Sequence, residues 1–152
     1  MIEEKTIPDQ KIAVMKNKGT KEDIGVLLSQ LSGWVENECI ETIGNYFILY
    51  YTFPKEDDET IVFDIGVPIS EKTTNPGEKN IEVADLIEHT VISTVHKGDH
   101  ANIRETYDKI IKFCQENKYD IIGSPKEIFI THPYDINIKE QITEIQIPVI
   151  KM

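Results

Sequence analysis

The chain has no run of eighteen apolar residues, so it offers no segment that could span a membrane as a helix. Its start, MIEEKTIPDQ, lacks the basic and apolar order of a secretory leader and predicts a cytoplasmic protein. Basic residues are outnumbered, 16 Lys and Arg against 27 Asp and Glu, for a formal net charge of −11. No basic patch stands out, which argues against direct nucleic-acid binding and against anionic membranes. What that charge attracts is cations, weakly at long range in salt. Cysteine is scarce too: Cys39 and Cys114 cannot build a disulfide framework. Both fall near the ends of predicted helices and read as buried free thiols. No phosphate-cradling GxxxxGK loop occurs. Ser124 has no His and Asp motif around it. His96 and His100 are separated by the Lys97-Gly98-Asp99 turn, and no third ligand accompanies them, so neither a metal nor a cofactor is expected. His89 and His132 read as surface or turn residues.

What remains is a composition that folds: 39% hydrophobic and 28% charged residues in 152, enough for one core of ordinary size. One domain is expected over residues 6–150. It is internally duplicated, with repeats at about 6–70 and 81–150. At an offset of 79, Lys18, Gly19 and Ile24 recur as Lys97, Gly98 and Ile103, and Trp34 meets Phe113. TIGNYFILYYTFP meets IIGSPKEIFITHP, so Ile43, Gly44, Thr52 and Pro54 recur as Ile122, Gly123, Thr131 and Pro133. After one inserted residue, FDIGVPI meets TEIQIPV, which pairs Asp64 with Glu144 and Pro68 with Pro148.

Each half reads as β-α-β-β. Thr20 and Asp99 sit where helix N-caps belong. One apolar stripe runs through Ile24, Leu27, Leu28, Leu31 and Val35; the other runs through Ile103, Tyr107, Ile110, Ile111 and Cys114. Phe53–Thr60 is a charged hairpin loop, and Ser70–Asn80 links the halves. The predicted fold is α+β: two β-α-β-β units forming one antiparallel sheet with both helices on one face.

Strand alternation then sorts the side chains. Ile61, Phe63, Ile65, Val67 and Ile69 belong under the helices, with Asp64 facing away. In the later strand, Ile128 and Ile130 take the helix side, and Glu127, Phe129 and Thr131 face away. Carried across the repeat, this turns Leu49, Tyr51 and Phe53 inward and Tyr46, Ile48, Tyr50 and Thr52 outward. The second face would carry Tyr46, Tyr50 and Phe129 beside Asp64, Glu127, Glu144 and Gln146. Rings interleaved with carboxylates suit an organic cation. The plainer alternative is a sheet with scattered exposed aromatics. Glu144 likewise either faces water or serves a positively charged partner; taken from water without one, its pKa would rise. Trp34, beside the first helix stripe, is read as core, with its edge near a groove as the alternative.

The HKG turn, the IIGSPKEIFITHP stretch and the closing TEIQIPV resemble the GyrI-like small-molecule-binding family, the effector-binding domains of AraC-class and MerR-class multidrug regulators. The resemblance covers about Thr6 to Val149. It implies a ligand groove at the pseudo-twofold centre of the duplicated fold, and a small organic ligand, cationic or amphipathic, anchored by the last-strand glutamate, Glu144, with Gln146 beside it. It also implies an alternative: relatives that hydrolyse strained cyclopropane toxins use this glutamate with a tyrosine, and Phe129 stands at the tyrosine's place. Tyr50 is its repeat equivalent. A binding role is therefore favoured over catalysis, with Glu144 the catalytic candidate if there is one. No helix-turn-helix precedes the domain, so an operator would not be read by this chain itself. Gyrase-inhibiting relatives imply that a protein partner is a further option.

Overall fold

The computed structural model of the chain describes residues 1–52, 59–131 and 137–152. Phe53, Pro54, Pro133, His132 and all of the charged loop except Glu59 and Thr60 lie outside the described residues. In chain order the elements are β1 (Glu3–Ile7), β2 (Gln10–Gly19), α1 (Asp23–Asn37), β3 (Phe47–Tyr50), β4 (Ile61–Ile69), β5 (Gly77–Glu78), β6 (Ile81–Leu86), β7 (His89–Lys97), α2 (Ile103–Glu116), β8 (Tyr119–Ile121), β9 (Lys126–Phe129) and β10 (Ile142–Lys151). Contacts divide the chain into two compact units. The first unit is Asp9–Ile87, and the second is Met1–Pro8 with Glu88–Met152. No helix among the described residues is long and apolar enough to cross a membrane.

The first unit orders its strands β3-β4-β2-β6-β5 and carries α1. The second orders them β1-β7-β10-β9, with β8 on the C-terminal part of β10, and carries α2. The pairings within each unit are antiparallel, and the class is α+β, as the repeated pattern predicts. The sequence reading missed β1, β5, β6 and β8. Each of the outer strands β1 and β6 closes the far side of a unit by pairing with the long strand that opens a repeat, β7 and β2 respectively.

The duplication holds down to single hydrogen bonds. Ile43 N–H donates to the Pro68 carbonyl and Ile122 N–H to the Pro148 carbonyl, both at 3.0 Å. Tyr51 and Thr52 share the Val62 carbonyl as Ile130 and Thr131 share that of Ile142. Gly44 and Gly123 recur because a proline ring lies against each. A Cβ would stand 3.1 Å from Pro68 Cγ in one and 2.8 Å from Pro148 Cγ in the other. Both helices exit through a left-handed residue, Cys39 at φ 53° and Lys118 at φ 60°. That turn carries Cys39 out to an exposed position, against the expectation of a buried thiol; Cys114 is buried on α2.

The helices start later than their cap residues suggest. Asp23, the first residue of α1, accepts the Thr20 N–H at 2.9 Å. Asp99 caps a 3-10 turn, His100–Asn102, that leads into α2. In the first unit Ile61, Phe63, Ile65, Val67 and Ile69 are all buried. Met15, opposite Ile65 in register, borders the same cleft as Gln30 and Trp34, which places this row under α1. Each such side chain contributes about 1.5–3 kcal/mol on burial.

Candidate functional site

Glu144 lies in β10, opposite Val95 of β7 on one side and Ile128 of β9 on the other. Its side chain is 12% exposed. Three donors converge on one oxygen, Oε2: Lys5 Nζ at 3.1 Å, Ser93 Oγ at 2.8 Å and Gln146 Nε2 at 2.8 Å. All of them lie on the sheet face turned from α2. Ser93 and Gln146 are register partners, and Lys5 is brought up by β1, where it pairs with Val91. Among the described residues the other oxygen, Oε1, has no partner. Burial by itself pushes the carboxyl up; the hydrogen bonds from Gln146, Ser93 and Lys5, and the Lys5 charge, outweigh it, and the pKa falls below the usual glutamate value. The condition for a rise, a Glu144 without a partner, is not met: the chain supplies its counter-ion. Lys126, opposite Gln146 on the same face, is buried, and desolvation lowers its pKa to about 8.

Glu127 does not share this face. It is paired with Ile145, is wholly buried, and accepts the Tyr107 hydroxyl of α2 at 2.7 Å. Its other oxygen meets His100 Nε2 at 2.6 Å. Phe129, two residues on, opposes Thr143 and belongs to the same helix-side row. The faces assigned to β9 are therefore inverted. In KEIF both alternate sets hold one apolar and one charged residue, so hydrophobicity could not choose between them. The hydroxyl of Tyr107, buried within the α2 stripe, decides the outcome by taking a carboxylate as acceptor. His96 is likewise committed to structure: its ring nitrogens meet Thr106 Oγ1 at 2.7 Å and the Asp99 carbonyl at 2.9 Å.

The inversion carries into the first unit because the repeat offset itself is right. Ile48 and Tyr50 oppose Ile65 and Phe63 and lie on the α1 side, both buried. Tyr46 precedes β3 and is half-buried, which pushes its phenol up. Tyr51, expected inside, instead donates to Asp64 Oδ2 at 2.7 Å. Asp64 is 5% exposed, and its Oδ1 has no partner among the described residues. Desolvation raises the Asp64 pKa against the Tyr51 hydrogen bond and the charge of Lys16, while burial and Asp64 together push the Tyr51 phenol up to about 12.

Of the residues singled out from sequence, then, Glu144 and Gln146 come together, Asp64 holds the equivalent place in the other unit, and Glu127, Phe129 and Tyr50 lie on helix-side faces. Lys5 and Ser93 were missed. Ser93 was recoverable from the alternation of Val91, Ser93 and Val95 about Glu144; Lys5 was not, because the short β1 carries only weak alternation. Two adjoining clefts, of about 450 and 460 Å³, lie in the first unit between α1 and the β5–β6 hairpin, and none of the predicted site residues lines them.

The fold has solved counterparts. The EcmrR C-terminal domain matches with a TM-score of 0.87 at 21% identity, over 100% of this chain and 98% of that one. In the EcmrR–DNA complex the TM-score is 0.83 at 20% identity, and this chain, covered in full, spans 58% of the EcmrR chain. A hydrolase encoded by lin2189 from Listeria innocua matches at 0.78 and 12% identity, over 98% of this chain and 91% of that one. SAV2435 bound to tetraphenylphosphonium matches at 0.64 and 10% identity, over 99% and 94%. At these identities the likeness is one of fold. No curated protein matches in sequence. The GyrI-like small molecule binding domain matches residues 1–150, nearly the whole chain, and the chain belongs to that family.

Proposed function

We infer that the second unit holds a bulky or amphipathic organic cation, with Glu144 as its acidic anchor. The observation that carries this reading is the asymmetry of the carboxylate: Oε2 is fixed by three donors, and Oε1 has no partner among the described residues. A carboxylate held ionised and oriented by Ser93 and Gln146 is prepared for a cation. The phosphonium in the SAV2435 structure supports the ligand class.

Binding is favoured over hydrolysis of strained electrophiles. Among the described residues, Glu144's own face in this unit carries Lys5, Val91, Ser93, Val95, Lys126, Ile128, Gln146 and Pro148, and no phenol to donate a proton beside the acid. Calorimetric titration with tetraphenylphosphonium tests the reading. The native protein should bind, and Glu144→Gln should lose about 10–100-fold in affinity, about 1.4–2.8 kcal/mol, because the carboxylate's attraction for the cation is removed. Equal affinity in both proteins sinks the anchor role.

A further inference from the structure

The cation position beside Glu144 is already taken by the chain itself. Lys5 Nζ stands 3.1 Å from Glu144 Oε2, and its side chain is 37% exposed while that of Glu144 is 12% exposed. A second carboxylate waits on the same strand: Glu3 Oε1 lies 3.8 Å from the same ammonium, with its side chain 54% exposed. Lys5 therefore sits between a sheltered acid and a solvated one, on a long flexible stem whose head can remain in water. We propose that Lys5 is an internal competitor for Glu144 and a specificity-determining residue of the site: ligand binding is an exchange of cations, in which Lys5 moves toward Glu3 and the ligand's charge takes over Glu144.

This inference rests on the reading of Glu144 as the anchor. The exchange discriminates between ligands by hydration. A small ammonium ion is as strongly hydrated as Lys5 and gains nothing over it, while Lys5 has the advantage of being tethered. A large cation with its charge spread over aromatic groups sheds water cheaply and adds apolar burial that a lysine head cannot match. Left in place beside a bound cation in a water-poor site, the Lys5 charge would repel it.

The test is titration of tetraphenylphosphonium and of methylammonium into the native protein, Lys5→Met, Lys5→Gln, Glu3→Gln and Glu144→Gln, with thermal melts to verify folding. Two neutral variants at Lys5 guard against one failing to fold. Both should tighten phosphonium binding about tenfold and make methylammonium binding detectable, and Glu3→Gln should weaken phosphonium binding about twofold. The Lys5 13Cε resonance should shift when phosphonium is added to the native protein. Phosphonium affinity unchanged or weakened in both Lys5 variants, with Glu144→Gln still impaired, overturns the competitor role and leaves the anchor standing. Glu144→Gln binding as well as the native protein overturns the anchor, and the competitor with it.

Discussion

Asp64 and Glu144 occupy the same place in two copies of one fold, and they have opposite surroundings. Around Glu144 the donors are Ser93, Gln146 and Lys5. Register maps those three positions onto Val14, Gly66 and Ala84 in the first unit, all without a side-chain polar group. Gly66 is bare because the Phe47 ring lies over it. Phe47, 2% exposed, stands where the second unit has Lys126. Lys16, directly opposite Asp64, has its ammonium 3.7 Å from Glu82. So each copy leaves one oxygen of its acid without a partner among the described residues, and only the second surrounds the acid with donors. The other packs an aromatic ring and aliphatic groups beside its acid and gives it one phenol. The backbone ladder is the same in both; the side chains on one face differ.

The sharpest way to break this comparison is to add volume where the first unit is full. A Cβ on Gly66 would meet the Phe47 ring and stand 2.9 Å from Val14 Cγ1. Gly66→Ala should therefore cost about 1–3 kcal/mol through overpacking, read as a lower midpoint in urea unfolding. Gln146→Ala, at the matching position, removes a hydrogen bond to a charged carboxylate and should cost about 1.5–3 kcal/mol, a cost that shrinks as Glu144 is protonated at low pH. A Gly66→Ala cost that shrinks with pH in the same way would mean that the two faces are filled alike.

Next in size come the pH dependences, which should have opposite signs. Asp64 is raised above its ordinary 3.8, so its contribution is fully present below that pH and is lost as pH rises through the higher folded value. Asp64→Asn should gain on the native protein as pH goes from about 3 to 7. Glu144 is held below its ordinary 4.5, so its contribution is present above that pH and lost as pH falls through the lower folded value. Glu144→Gln should fall behind the native protein over the same rise. Slopes of the same sign would erase the contrast. The smallest effect belongs to the shared helix exit. Cys39→Gly and Lys118→Gly should each stabilise by about 0.5–1 kcal/mol, since both residues hold left-handed φ angles that glycine adopts freely. A gain in one alone would show that the exits are not equivalent.

The two helices, the long strands, the repeat and the offset between its copies could be read from sequence, because alternating strands such as Ile61–Ile69 and amphipathic helices carry strong periodic signals. The faces of the short strands could not. Lys126–Phe129 spans four residues, and its orientation follows from a polar contact, Tyr107 with Glu127, that no periodicity encodes. Glu144 was identified by its place in the repeat and by resemblance. Its partner Lys5 comes from a strand 139 residues away in sequence, and pairing at that distance leaves no local trace.

The most direct test is a carboxyl 13C NMR titration of Glu144 and Asp64, with and without tetraphenylphosphonium. Glu144 should titrate below 4.5 and its carboxyl resonance should shift when the cation is present; Asp64 should titrate above 3.8 and stay there. A Glu144 that titrates at or above 4.5, or that does not respond to the cation, would contradict the assignment of Glu144 as an ionised anchor.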